Sequence, residues 1–290
     1  MNTTELISAL KIHGSFPASD DLFSDADFLS LFNHQMKVDI IPMMLKLNEE
    51  FFLQSKDFTI TSGETYRIPT RAIGAKIRDL KQVDGNGNYI EIIRRYEEDR
   101  PQGLSGYYML RNSVELSSDF TSGTLRMKYF ARPSTLVLTT SCAQITAIDT
   151  GTFTCTVSSA PATMTTGTVV DLVQNTNPYD LLGMDYTLAS VSGTTFVFSS
   201  LPSGLAVGDW ICIPTESPVP MIPEEMHPVL IQSALCKTLS SQKDRSYKEE
   251  LDTLMRVKED AINMLDPRVE NSSNKVQTGK LLGYFSSRRY

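Results

Sequence analysis

Two glutamates and a histidine lie within four residues of one another in the last quarter of the sequence. Glu224, Glu225 and His227 stand in the stretch IPEEMHPVLIQSALCKTLSSQKD. Carboxylates and an imidazole at this spacing can hold a metal ion or transfer protons. The same pattern is typical of a helix start, because Pro223 suits the first turn and carboxylates favour the positive end of the helix dipole. We favour the helix start, with an irregular first turn at Pro228 and a buried packing helix after it.

Two further stretches contain fragments of binding motifs. DGNGN supplies Asp84, Asn86 and Asn88, which match the first ligands of a calcium loop, but Tyr89 stands where that loop needs glycine. We therefore predict a hairpin turn there. TGKLLG at 278–283 has a Gly-Lys pair, but it lacks the upstream glycine and the following Ser or Thr of a phosphate-binding loop.

Nucleophilic and metal chemistry find little further support in the sequence. The chain contains no GxSxG or HExxH pattern, and the other two histidines, His13 and His34, are far apart in sequence. None of the cysteines forms a CxxC pair or a zinc spacing, and all lie in apolar or Thr-rich stretches, so we predict small buried side chains. A disulfide within the middle region stays an open alternative. The four cysteines are Cys142, Cys155, Cys212 and Cys236.

The composition indicates a globular protein with an acidic surface. Of the 290 residues 41% are hydrophobic, and the formal net charge is −7. An acidic chain does not suggest a protein that coats DNA, although a local basic patch could still meet nucleic acid. The first residues lack the apolar core of a signal peptide, and no stretch of 18 apolar residues occurs, so we expect no membrane span and a reducing cytoplasmic origin.

The middle of the chain differs sharply in composition from both flanks. Between Arg132 and Lys237 there are 104 residues without a lysine or arginine, rich in Thr, Ser, Val and Gly. A weak internal repeat lies inside this region, because GTFTCTVSSAP from Gly151 resembles GTTFVFSSLP from Gly193. Each copy reads as strand, turn and strand. We predict an inserted all-β module over residues 136–216, folded as a small barrel or sandwich.

Helical patterns precede this module. Thr3 or Thr4 could cap a short first helix. Ser24 followed by Asp27 is close to a capping box and starts a long apolar-periodic run, in which Pro42 predicts a kink or a restart.

Strand patterns follow, and helices return after the module. FTITSGETYRIPT predicts a strand pair around Gly63, and AKIRDLKQVDGNGNYIEIIRR predicts a hairpin. YYMLRNSVEL and TLRMKYFARP complete the predicted β-layer. Two last helices are expected at about 224–242 and 245–265, the second capped by Asp244.

The final segment is basic and has no regular pattern. NSSNKVQTGKLLGYFSSRRY carries four bases and no acid, so it contributes +4 and leaves −11 for residues 1–270 of the total of −7. We predict that residues 269–290 form an extended arm that orders on binding an acidic partner. The residues expected to dock are Lys275, Lys280, Leu281, Leu282, Tyr284, Phe285, Arg288, Arg289 and Tyr290.

The order of these patterns resembles that of the head-to-tail adaptor proteins of short-tailed bacteriophages. The resemblance rests on IIPMMLKLNEEFF, YRIPTRAIGAKIRDL and TLRMKYFARPS before the module, and on IPEEMHPVLIQSALCKTLSSQKD and a second helix ending LDPR after it. It covers about 20–135 and 217–268. It implies a helical adaptor core, with a β-layer in residues 1–135 and a helix pair in 217–268. The β-module inserted between them goes beyond the minimal helical adaptor, and together these parts predict an α+β fold.

The resemblance also implies a structural role in the virion. Such adaptors form rings, usually of twelve copies, that bind the portal protein of the capsid, receive tail proteins, and surround a channel through which DNA passes without specific binding. The arm is then expected to contact portal. The family has no enzymatic activity, requires no cofactor and lies in the virion neck after synthesis in the bacterial cytoplasm.

A second interpretation makes the β-module an adhesive or carbohydrate-binding unit on a helical base. Trp210, Tyr179 and Tyr186 motivate it, because sugar platforms use exposed aromatic rings. Trp210 lies in the apolar run WICI, which is more typical of a core. A hydrolase built around His227 is the third and weakest interpretation.

Overall fold

Helices at the two ends of the chain form one layer of a mixed α+β fold. The computed structural model describes residues 1–16, 23–61, 63–96, 98–99 and 103–265. Within these ranges, no helix combines the length and the apolar character that a membrane span requires. The helices are α1 (Thr3–His13), α2 (Asp25–Gln35), a π-helical turn (Met36–Ile40), α3 (Ile41–Leu47), α4 (His227–Gln242) and α5 (Tyr247–Leu265).

Capping residues explain where the first two helices begin. Asn2, rather than Thr3 or Thr4, caps α1: its side chain accepts the N–H of Glu5 at 3.0 Å, and the carboxylate of Glu5 accepts the N–H of Asn2 at 2.9 Å. Thr3 is instead buried, so the prediction of a threonine cap was wrong. The predicted capping box of Ser24 and Asp27 at the start of α2 is confirmed.

Pro42 accounts for an irregularity between α2 and α3. A proline has no N–H, so it cannot bond to the carbonyl four residues earlier. The helix widens just before it into the π-helical turn, in which the N–H of Ile41 bonds to the carbonyl of Met36. The predicted kink is therefore present, and it lies on the N-terminal side of the proline.

Helix α4 forms the centre of the helical layer. Eleven of its sixteen residues are buried, and its apolar side chains contact those of α1, α2 and α5. Each fully buried Leu or Ile contributes about 1.5–3 kcal/mol relative to an exposed one. Helix α5 buries only one stripe of side chains, which includes Leu254 and Ala261, and its other side faces solvent. The predicted packing helix and the predicted stripe are both confirmed.

Both C-terminal helices begin later than the sequence pattern predicts. A 3₁₀ turn, Glu224–Met226, precedes α4, because Pro228 keeps the first turn irregular. Helix α5 begins at Tyr247, and Asp244 accepts the N–H of Ser246 at 2.8 Å in the turn before it.

Two four-stranded sheets form the β-layer. The first has the order β1-β8-β3-β4 and the second β2-β7-β6-β5. The predicted hairpin around DGNGN is confirmed as β3 and β4. The predicted pairing around Gly63 was wrong, because β1 pairs with β8 and β2 pairs with β7. The strands are β1 (Leu53–Thr59), β2 (Thr65–Arg67), β3 (Ala72–Val83), β4 (Tyr89–Glu91), β5 (Arg94–Arg95), β6 (Tyr107–Leu110), β7 (Ser113–Leu116) and β8 (Thr124–Ala131).

A closed barrel of six strands follows the β-layer. Its strand order is β10-β11-β14-β13-β12-β15, and a short parallel pair of β9 with β16 stands at its entry and exit. Of the two predicted forms, barrel or sandwich, the barrel is the one observed. The strands are β9 (Thr135–Leu136), β10 (Ala143–Asp149), β11 (Thr154–Val157), β12 (Val169–Val173), β13 (Leu181–Ser192), β14 (Thr195–Phe198), β15 (Trp210–Cys212) and β16 (Glu216–Ser217).

The internal repeat accounts for the barrel topology. Exchanging β10–β12 with β13–β15 leaves the order of the closed barrel unchanged, so the barrel has twofold pseudosymmetry. Equivalent strands meet across this axis: β11 pairs with β14, with Cys155 opposite Phe196, and β12 pairs with β15. Neither unit closes alone, because each completes the core of the other.

A buried ion pair attaches the barrel to the β-layer. Arg71, just before β3, donates two hydrogen bonds to Asp171 of β12, at 2.6 and 2.9 Å. The backbone N–H groups of Asp185 and Thr215 also donate to this carboxylate, at 3.1 and 3.0 Å. The Asp171 side chain is fully buried and that of Arg71 is 9% exposed. The geometry is bidentate and every contact involves a charge, so this pair fixes the barrel in one orientation.

Candidate assembly surfaces

The Glu224, Glu225 and His227 motif does not form a common site. The two carboxylates are exposed, whereas the imidazole is buried against the ring of Tyr179, with 5.0 Å between ring centres. Its Nδ1 lies 3.4 Å from the nitrogen of Met1, and its Nε2 has no hydrogen-bond partner in the part of the chain that the structure describes. Burial lowers the pKa of His227 to about 4, so the ring is neutral at pH 7.

The DGNGN stretch is a hairpin turn, as predicted. Asp84 accepts the backbone N–H groups of Asn86 and Asn88, both at 2.8 Å, and the side-chain amide of Asn88 at 2.9 Å. These bonds lower the pKa of Asp84 and use its oxygens within the turn. The aspartate therefore shapes the loop between β3 and β4.

The remaining predicted chemical groups are separated or buried. His13 and His34 are exposed on α1 and α2. The four cysteines are free and buried, and burial raises the pKa of the Cys155 thiol to about 11. Within the described ranges no three His, Cys, Asp or Glu side chains converge as a metal site would need. The predicted docking residues of the arm, 275–290, lie outside the described residues.

The edge segment, residues 89–96, is an exposed surface with several large apolar side chains. It contains β4 and β5, and in the described structure β4 pairs only with β3 and β5 only with β6, so each is the last strand of its sheet. Four of its large side chains face solvent: Tyr89, Ile90, Ile93 and Tyr96 are 56%, 49%, 59% and 67% exposed. Unpaired sheet edges normally carry charges that prevent association, and Glu91 and Arg94 are exposed charges on this segment. The four exposed apolar side chains beside them are typical of a surface that meets a partner.

Tyr89 is held in place on this surface. Arg126 of β8 donates a 2.6 Å hydrogen bond to its hydroxyl and lies 5.4 Å from its ring centre. Asp57 of β1 fixes Arg126 through two bonds of 2.8 and 2.6 Å and raises the pKa of its guanidinium, which therefore stays charged. A restrained tyrosine next to an arginine is a common interface anchor, because little side-chain entropy is lost on binding.

Helix α5 exposes two large apolar side chains on opposite flanks. Met255 and Met264 are both exposed, about half a turn apart around the helix, and the exposed charged residues of α5 are mostly acidic. The exposed acids are Glu249, Asp252, Glu259 and Asp260. The exposed surface of α5 is thus more acidic than the edge segment, which exposes Glu91 and Arg94 beside its aromatic and β-branched side chains.

The aromatic residues of the barrel do not form a platform. Trp210 and Tyr179 are buried, and the indole N–H of Trp210 donates to Asn175 at 3.0 Å. Tyr186 is half-buried against Phe198 and Gly183. These rings stabilise the barrel core.

The chain matches no model of a protein family and no curated protein.

Proposed function

We propose that this protein is a structural subunit of a bacteriophage head-to-tail adaptor ring that joins the capsid portal to the tail. The observation that carries the proposal is the exposed apolar edge segment. The sheet edges expose four large side chains, those of Tyr89, Ile90, Ile93 and Tyr96. Contact with another protein surface would remove this apolar area from water and so stabilise an assembly.

Two surfaces of different chemistry support a ring over a dimer. A closed ring repeats one contact between two different patches, whereas a twofold dimer uses one patch twice. The edge segment supplies one such patch, and the flank of α5 that exposes Met255 among acidic residues is the proposed second one. In the proposed ring they belong to neighbouring copies, with the acidic chain leaving the central channel unattractive to DNA.

The arm is the proposed contact with portal. Its four bases and its aromatic and aliphatic residues suit an acidic groove on a partner. Removal of residues 267–290 is expected to weaken association with portal while leaving the thermal unfolding midpoint unchanged. Unchanged association with portal would contradict the role of the arm, and would leave the ring itself unaffected.

Substitution in the edge segment tests the proposed contact between copies. A variant with Ile90→Asp and Ile93→Asp places two charges in the contact, so assembly measured by sedimentation velocity should fall at least about tenfold in affinity. Val207→Asp is the matched control, because Val207 is equally exposed but lies in the barrel. Assembly that is equally sensitive to both changes would count against the edge segment.

No observation in the described structure favours the carbohydrate-binding alternative. Two of the three aromatic residues that motivate it are buried and the third is half-buried. A sugar platform needs their faces in solvent.

A further inference from the structure

A cavity of about 190 Å³ lies between the α2–α3 helix, the start of β3 and strand β9. Three cationic side chains line it: Lys37, Arg71 and Arg132. Its described lining contains no carboxylate. Hydroxyl groups complete its polar wall, from Thr70, Ser134, Thr135 and Thr215.

Two of the three cations are uncompensated. Arg71 is neutralised by Asp171, 2.6 Å away. Lys37 and Arg132 have no carboxylate within 4.0 Å among the residues that the structure describes. Asp180 and Arg132 line a neighbouring cavity, but they form no ion pair. The pocket therefore carries an excess of two positive charges in a protein whose total charge is −7.

Backbone bonds fix the walls of the pocket. The N–H of Arg132 donates to the carbonyl of Arg71 at 2.7 Å, which holds the two arginines side by side. The N–H of Thr135 donates to the carbonyl of Thr215 at 2.8 Å. Each wall therefore keeps its position without a ligand, which reduces the entropy lost when one binds.

The third wall is the π-helical turn. Lys37 lies within this turn, Met36–Ile40, and π-helical turns are frequent at functional sites. One helical turn earlier, Asn33 uses its side-chain amide to accept the N–H of Leu136 at 2.7 Å and to donate to its carbonyl at 2.8 Å. These bonds hold the helix against β9, and the exposed Lys37 lines the pocket together with Arg71 and the exposed Arg132.

We propose that this pocket binds a phosphate group. A phosphate carries a charge of about −1.5 to −2 at pH 7, which matches the two uncompensated cations. Arginine, lysine and hydroxyl donors are the groups that bind phosphate oxygens, and the cavity has room for one phosphate with a few waters. The inference stands apart from the proposed function, because it requires neither a ring nor a portal.

Isothermal titration of the full-length protein with inorganic phosphate at pH 8 tests the proposal. We expect saturable binding of one phosphate per chain. A variant with Lys37→Ala and Arg132→Ala should weaken this binding at least about tenfold, because two charge-assisted bonds are lost. A variant with Lys46→Ala and Arg67→Ala, which removes the same charge from exposed positions outside the pocket, should bind like the wild type.

The absence of saturable binding would overturn the proposal. So would equal affinity in the Lys37→Ala, Arg132→Ala variant, or an equal loss in the control variant, which would indicate a general charge effect. A variant with Lys37→Arg and Arg132→Lys should still bind phosphate, because both positive charges are retained. Such binding would show that the site tolerates exchange of its cations. Adenosine monophosphate distinguishes the source: binding like phosphate indicates a monoester ligand, and failure to bind indicates free phosphate.

Discussion

His227 has a structural role that should appear in the pH dependence of stability. Its pKa is about 4 in the folded protein and about 6.5 in an unfolded chain. The unfolded state therefore binds more protons between these values, and stability falls as the pH drops through this window, by about 3 kcal/mol in all. Urea unfolding at pH 7 and pH 4 should show a smaller loss for His227→Phe than for the wild type. Parallel losses in the two proteins would contradict this role.

Asp171 should be far more important to stability than the neighbouring Asp185. Asp171→Asn removes the charge that balances the buried Arg71, and breaking such a pair costs about 3–5 kcal/mol. Asp185 also contacts Arg71, at 3.2 Å, but its side chain is half-exposed, so Asp185→Asn should cost less than about 1 kcal/mol. The free energies of unfolding in urea decide between these values. Equal costs would show that the pair does not hold the barrel.

Residue-level features were predictable only where they depend on nearby sequence. The capping box of Ser24 with Asp27 and the Asp84 turn each involve residues at most four apart, and both were predicted correctly. The bond between Arg71 and Asp171 joins residues 100 apart. Nothing in the local pattern indicates such a partner, so the buried ion pair that attaches the barrel could not be predicted.

At the level of elements, α4 should dominate the helical core. Leu230 is fully buried in the first turn of α4, so Leu230→Ala should destabilise the protein by about 2–5 kcal/mol. Ile12→Ala, at an exposed position on α1, should change stability by less than about 0.5 kcal/mol. Thermal and urea unfolding of the two variants measure the difference. A cost below about 1 kcal/mol for Leu230→Ala would contradict the central position of α4.

Strand existence was easier to predict than strand pairing. The repeat starting at Gly151 and Gly193 indicated two β-units, and its pseudosymmetry appears in the closed barrel. The strands on either side of Gly63 were predicted as a hairpin but belong to different sheets. Each pairs with a strand more than 45 residues away in sequence, β1 with β8 and β2 with β7. Alternation of side chains shows that a segment is extended, and it does not identify its neighbour.

For the whole molecule, the sequence indicated the α+β class and a β-module, and the structure shows both. The edge segment could not be identified as a surface beforehand, because YIEIIRRY reads as an ordinary strand and its exposure depends on which strands pair beside it. The same holds for the phosphate pocket, whose cations come from three separate parts of the chain.

The central claim is that copies of this protein close into a ring. Electron microscopy of the purified full-length protein, with its mass measured by native mass spectrometry, tests it most directly. We predict class averages with a central channel and a mass that is an integral multiple of 32.3 kDa, with twelve copies as the expected number. A protein that stays monomeric at every concentration, and that does not associate with portal, would contradict the account.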